Sequence, residues 1–598
     1  MASDYAAPLR DMRFALEHLV DLPGLSKLPA FAHADPETVF GLLEEFGRFV
    51  SEVLAPLDGV GDSVGSKHDP TTGSVTTPPG FPVAYKQYAE AGWGSVPFPA
   101  EHGGGAFPWL VAVAMQEQMT SANMGFSLCP LLTQGAIDML IHHGSEEQQE
   151  RYLRPMIAGT WTGTMNLTEA EAGSDVGALR TRAVPSSDGD GSWRISGQKI
   201  FITYGEQDLT ENIVHLVLAR VPDAPPGTRG ISCFIVPKVL VRDDGTLGER
   251  NAVRCIGIEH KMGIHASPTC VLEFDSATGF LIGDANAGMR YMFTMMNNAR
   301  LSVGLSGLAI GERSYQQAVQ YALERKQGRP IDATTGAIVD HADVRRMLLT
   351  IRSTVEALRG LLYLNAQAID VSRAGATEEE RTKAQELADI LTPISKGWGT
   401  DMGIELASLA VQIHGGMGYI EETGIAQRSR DIRIAAIYEG TNGIQAMDLV
   451  GRKLALRAGG VVDDLLCQIE ALDADLEAAG EELAGLRAAL ADAVAAVRDA
   501  VRWLQANGSA DPNDALAGAT PFLRMAGIVV GGWVLARQAL AARVLAAGGD
   551  SDGYYAAKVA TARFFGEQIV PQARGLLAAV TAGKVELYAI APGALASS

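Results

Sequence analysis

The chain has 598 residues, with 49 Lys and Arg against 70 Asp and Glu, a formal net charge of −21. That length favours three or four structural units over one, and the acidic balance disfavours nucleic-acid binding and docking on an anionic membrane, both of which need a basic footprint. Hydrophobic residues make up 47% and charged residues 20%, so a large core can be buried and disorder is excluded as the main state.

In chain order, residues 1–162 read as a helical domain. The start MASDYAAPLRDMRF carries Asp4 early and no apolar run of the secretory kind, so no signal peptide is expected. Pro36-Glu37-Thr38 opens one helix, and EEQQERYLRPMI stops at Ala158-Gly159. The segments 64–80 and 99–108 are Pro- and Gly-rich loops. From 163 to 283 the pattern shortens to SWRISGQKIFIT, NIVHLVLARV, GISCFIVPK and CVLEFD, which predicts an antiparallel β domain. Long helical periodicity returns over 284–455. An Ala/Leu-rich helical extension fills 456–598. In it, Leu465, Ile469, Leu472, Leu476, Leu483, Leu486 and Leu490 form a seam compatible with a coiled coil. Gly480 and Gly485 interrupt that seam, which favours two antiparallel helices packed on the body. The longest apolar run, Met525 to Ala536, is too short to span a bilayer and reads as a buried helix. The fold class is therefore α+β: helical, β, helical, then an extra helical domain.

Five cysteines, Cys129, Cys233, Cys255, Cys270 and Cys467, form no C-x-x-C pair. They read as free thiols of a reducing cytoplasm. His265 and His414 lack metal-ligand spacing and read as structural, so no metal is expected.

MNLTEAEAGSDVGALRTRA, residues 165–183, places hydroxyl and backbone donors at Thr168, Gly173 and Ser174, suited to an anionic or carbonyl-rich cofactor. Taken alone, the segment is equally a turn into a strand. It is followed by GQKIFITYGEQDLTENIVHLVLAR, QIHGGMGYIEETG and RDIRIAAIYEGTNGIQ. This ordered set resembles the acyl-CoA dehydrogenases. EHKMGIHASPT, FTMMNNARL, HADVRRML and YYAAKVATARFFGEQIVPQA resemble the long 3-methylmercaptopropionyl-CoA dehydrogenase-like subgroup, linked to dimethylsulfoniopropionate degradation and to fatty acid β-oxidation chemistry.

The resemblance implies FAD-dependent α,β-dehydrogenation of an acyl-CoA to the trans-2-enoyl-CoA, with 3-methylmercaptopropionyl-CoA or another short or medium acyl-CoA as substrate. Glu439 would be the base that takes the α-proton, its pKa raised by desolvation between flavin and acyl chain. By position, Leu167, Thr168, Gly173, Ser174, Phe201, Ile202, Thr203, Thr441 and Gly443 would contact FAD. Arg325, Gln412, Gly415 and Gly416 would reach the FAD of a neighbouring subunit, which implies a homodimer. Ser174, Arg300, Tyr438 and Gly440 would meet the substrate, with a helix-surface salt bridge the alternative for Arg300. Three departures from the family pattern stand out: Phe201 where most relatives have Trp, RKQGR without the usual Phe, and Gly443 where a Gln usually stands. The implied electron acceptor is electron-transfer flavoprotein. The alternatives are a long-chain dehydrogenase, an oxidase that returns electrons to oxygen, and a non-catalytic scaffold of the same fold, against which Glu439 argues.

Overall fold

The computed structural model describes residues 5–187, 189–331 and 334–596; Asp4, read above at the N-terminus, lies outside them. The chain divides into two compact units. The first comprises Leu43–Ser302 with the described residues before Pro8, and the second Pro8–Leu42 with Val303–Ser598.

In the first unit, helices α1 (Trp109–Ala122) and α2 (Met124–His143) are buried around almost their whole circumference. Asn123 starts α2 by accepting from Phe126 N at 3.0 Å. α3 (Glu146–Ile157) opens with a reciprocal cap between Ser145 and Gln148. It ends before Gly159, whose φ of 76° turns the chain into the sheet.

The sheet has seven strands: β1 (Trp161–Asn166), β2 (Arg182–Pro185), β3 (Trp193–Thr203), β4 (Asn212–Ala219), β5 (Ser232–Pro237), β6 (Val253–Ile258) and β7 (Thr269–Leu281). Their order is β1-β4-β5-β7-β3-β2, with β6 added on β7. The expected antiparallel pairing holds except for β1 and β4, which run parallel from Trp161↔Asn212 to Asn166↔Val217. The cause is topological: β2 and β3 lie between them in sequence, and this long crossover lets the chain re-enter in the same direction. β1, β2 and β6 are strands that the periodicity did not single out. β4 and β5 are buried along their whole length, and helix α2 packs against β1. The expected loop 64–80 carries a two-residue ribbon, Lys67–His68 paired with Val75–Thr76.

The second unit is helical. α4 (Gly288–Glu324) enters it, followed by α5 (Ala342–Ala374), α6 (Glu378–His414) and the short α7 (Asn442–Asp448). The extension supplies α8 (Glu481–Ala510), α9 (Ala519–Ala546), α10 (Tyr554–Gln568) and α11 (Gln572–Val580). Of the two glycines expected to break the seam, Gly480 does so with φ 76°, whereas Gly485 lies inside α8. The seam residues Leu483, Leu486 and Leu490 are buried where α8 packs on α9, α10 and α11, so they form a bundle core and not a coiled coil. The run Met525 to Ala536 lies within α9, whose most apolar stretch is 78% buried, in line with the expected buried helix. α9 packs on α5, α6 and α7, which makes the extension part of the core of this unit.

Candidate functional site

The residues expected to hold the cofactor and the base fall into two groups, one in each unit. In the first unit, the loop after β1 is fastened to β3 by a buried ion pair. Lys199, fully buried on β3, donates to Glu169 Oε1 at 2.7 Å and to the Leu167 carbonyl at 2.9 Å. Burial pushes the Lys199 ammonium down to about 8, against the opposing pull of Glu169. Burial would raise the Glu169 carboxyl, but Lys199 together with Thr181 and Arg180 N outweighs it and holds the group below its usual range. The Ile200 N–H then donates to the Thr168 carbonyl at 2.9 Å, which brings the two expected cofactor segments side by side.

Opposite β7 the pairing slips: Ile202 faces Cys270 and Lys199 faces Leu272, so Ile200 and Phe201 oppose the single residue Val271. This bulge holds Phe201 at φ 60° and leaves the residue 57% exposed. A left-handed non-glycine residue costs about 1–3 kcal/mol and collects at functional positions. Around it, Thr168 and Thr203 are half-buried, and Gly173 and Ser174 are exposed on a turn closed by mutual Glu169–Ala172 backbone bonds. A Cβ at Gly173 would meet nothing within 4 Å, so the surface beside the turn is open. Leu167 and Ile202 are buried, and Ile202 belongs to the sheet core, which leaves only its backbone for a ligand. Arg300, in the part of α4 that belongs to this unit, is buried and not on a helix surface. Its Nη1 donates to Asn297 at 3.2 Å, and its guanidinium lies 6.0 Å from the Phe293 ring centroid. An exposed patch with hydroxyls, open backbone and one uncovered aromatic ring fits a planar group that carries a polar tail.

In the second unit, Glu439 and Gly440 are consecutive left-handed residues, with φ of 57° and 80°. Glu439 is half-buried. Glycine accepts that conformation freely, whereas glutamate is strained by it. The Tyr438 hydroxyl is buried without a hydrogen-bond partner among the described residues, and burial, then the nearby Glu439, push its pKa above the usual range. Thr441 caps α7 by accepting from Ile444 N at 3.2 Å, and Gly443 is exposed on its first turn. Elsewhere in this unit Arg325, Gln412, Gly415 and Gly416 are all exposed. The ends of α4 and α6 that carry them are joined by stacking of Tyr321 on His414, with centroids 4.4 Å apart. Gly415, at φ 60° and ψ −139°, makes a turn that a side chain would oppose.

The Ala410 carbonyl accepts from His414 Nδ1 at 2.7 Å, and both ring nitrogens of His265 lie 2.9 Å from backbone carbonyls, in line with structural roles. Lys199, Glu169, Asn442 and Lys396 escaped the sequence reading. A lysine inside an otherwise apolar strand or helix pattern was the signal available for two of them.

Four family descriptions match consecutive stretches: "Acyl-CoA dehydrogenase, N-terminal domain" over 43–160, "middle domain" over 164–277, "C-terminal domain" over 286–454, and "Acetyl-CoA dehydrogenase C-terminal like" over 466–591. Among curated proteins, the chain is 48% identical over 570 residues to 3-methylmercaptopropionyl-CoA dehydrogenase of Ruegeria pomeroyi, covering 95% of this chain and 96% of that one. It is 36% identical over 590 residues to a butyryl-CoA dehydrogenase of Syntrophomonas wolfei, covering 96% of each. Among solved structures, an acyl-CoA dehydrogenase complexed with FAD from Bacillus anthracis shares the fold at a TM-score of 0.66 and 22% identity, covering 86% of this chain and 84% of that one.

Proposed function

The chain belongs to the acyl-CoA dehydrogenase family, and from that premise we propose that it desaturates 3-methylmercaptopropionyl-CoA between its α and β carbons, with Glu439 as the base. Members of this family depend on FAD. Thr168, Gly173, Ser174, Phe201 and Thr203 would hold the cofactor, with Leu167 and Ile202 contributing from the backbone side and Thr441 and Gly443 from the start of α7. FAD, when bound, supplies the two-electron acceptor for the β-hydride.

The protein's own part is proton handling and placement. The Glu439 carboxylate takes the α-proton, which the thioester carbonyl acidifies, and the α,β double bond forms as the β C–H bond breaks. The left-handed turn at 439–440 aims that carboxylate, and the strain it stores is repaid only if the geometry serves the reaction. The backbone N–H of Glu439 is a donor for the thioester oxygen, and Arg300, Tyr438, Gly440 and Ser174 complete the substrate contacts in this reading.

The observation that carries the substrate assignment is identity of 48% sustained over nearly the whole length of both chains, the helical extension included. The full-length likeness to a butyryl-CoA dehydrogenase favours, as a second reading, a wider range of short acyl-CoAs. Electron-transfer flavoprotein is the proposed acceptor. A homodimer is proposed because Arg325, Gln412, Gly415 and Gly416 are exposed rather than built into a core. A cytoplasmic setting is proposed from the free cysteines, four of them buried.

Anaerobic flavin bleaching with 3-methylthiopropionyl-, butyryl-, octanoyl- and palmitoyl-CoA tests the substrate. Bleaching that is fastest with the first supports the assignment. Fastest bleaching with octanoyl- or palmitoyl-CoA overturns it.

A further inference from the structure

The turn that presents Glu439 holds two successive left-handed residues, and a strained turn relaxes unless its surroundings fix it. The capping bond of Thr441 is local to α7 and cannot by itself fix the turn against the body. The next residue can. Asn442, 9% exposed, spends both ends of its amide on α6. Its Nδ2 donates to the Gly397 carbonyl at 3.1 Å and to Asp401 Oδ1 at 2.7 Å. Its Oδ1 accepts from Lys396 Nζ at 2.8 Å. Thr400 Oγ1 lies 2.9 and 3.2 Å from the two amide atoms and donates to the Lys396 carbonyl at 2.8 Å. Lys396 and Thr400 are fully buried.

An amide has two donors and two acceptor sites, and here its donors and its carbonyl oxygen are matched to groups that would be costly to leave unpaired. Asn442 is the first residue of α7, directly after the Thr441 cap, so its side chain is not needed to cap that helix. Its presence three residues after Glu439 needs a reason, and the bridge to one turn of α6 provides it.

We infer that Asn442, held by Lys396 and Asp401, is a positioning residue that fixes the Glu439 turn in its strained, proton-abstracting conformation. The inference rests on Glu439 being the base. Alanine at 442 removes every bond to α6 and leaves the Thr441 cap. Serine keeps a hydroxyl but is too short to span Lys396 and Asp401. A misplacement of about 1 Å at a reacting group can cost on the order of 100-fold in rate.

The test compares FAD-loaded wild type with Asn442→Ala, Asn442→Ser and Glu439→Gln, and follows backbone amide exchange over 438–446 with and without FAD. For both Asn442 variants the expected result is a fall in kcat of about 10- to 100-fold, KM and flavin content within twofold of wild type, and faster exchange confined to that segment. Wild-type kcat with unchanged exchange in either variant overturns the inference. So does a kcat loss matched by equal loss of bound flavin and of thermal midpoint, which would mark a purely structural residue. The two readings fail separately. Bleaching retained by Glu439→Gln removes the base assignment. Bleaching lost in Glu439→Gln, with Asn442→Ala at full rate, removes only the positioning role.

Discussion

Lys199 and Glu169 show at single-residue scale what the sequence conceals. The T-E dipeptide at 168–169 stands inside the motif at 165–183, yet what Glu169 does is internal: with Lys199 it pins the loop after β1 to β3. The partners lie 30 positions apart, and no local spacing links them. Removing one member leaves the other buried and uncompensated, which costs more than the pair itself contributes. Lys199→Met is therefore expected to lower stability by about 3 kcal/mol and to reduce FAD retention, measured by thermal unfolding and by flavin content after gel filtration. Retention equal to wild type would show that the loop holds its place without the pair. Phe201 is the opposite case. Its position was legible from the resemblance carried by GQKIFITYGEQDLTENIVHLVLAR, but its exposure follows from a slip in register against β7 that no single-strand pattern encodes.

At the scale of elements, long helices and the core strands followed from periodicity, because burial on one face imposes a repeat that the sequence must obey. What periodicity missed was closeness. α4 and α6 approach through glycines: a Cβ at Gly307 would lie 1.9 Å from the Gly399 carbonyl oxygen, and one at Gly304 would lie 2.4 Å from that of Ser395. These contacts set the stretch of α6 that meets Asn442. Alanine in mid-helix gains about 1 kcal/mol of propensity over glycine, but overlap with backbone cannot be relieved by a rotamer change. Overpacking should win, and Gly307→Ala is expected to destabilise the protein by ~2 kcal/mol, read by denaturant unfolding. A stabilised variant would mean that the helices separate at little cost.

At the scale of the whole molecule, the extension at 456–598 was legible as an additional helical unit, but its role was not. The reason lies in α9, whose stretch Met525–Ala536 is apolar on all sides and which packs at once on α5, α6 and α7. The extension therefore backs α7, which begins three residues after Glu439, and Gly527 of α9 leaves room for Trp398 of α6, where a Cβ would come within 2.2 Å.

Acid sensitivity is a second global property. His215 is buried in β4 and shares a 2.7 Å hydrogen bond with Thr164. Burial, then Lys238 and Arg250, hold its pKa at about 3, against an ordinary 6.5. Below 6.5 the unfolded chain takes up this proton while the folded chain does not, so the unfolded state binds more protons. The contribution to stability is intact above pH 6.5 and is lost as pH falls toward 3. The thermal midpoint should drop across that window, and His215→Gln should drop less steeply. Parallel curves for the two proteins would assign the acid loss to other groups.

The proposed desaturation depends on Glu439, and its most direct test is an anaerobic titration of the FAD-loaded protein and its Glu439→Gln variant with 3-methylthiopropionyl-CoA. The expected result is stoichiometric flavin bleaching in the wild type and a rate reduced by about 10²- to 10⁴-fold in the variant, with flavin content unchanged. Full-rate bleaching in Glu439→Gln, or no bleaching of the wild type by any acyl-CoA in the panel, would contradict it.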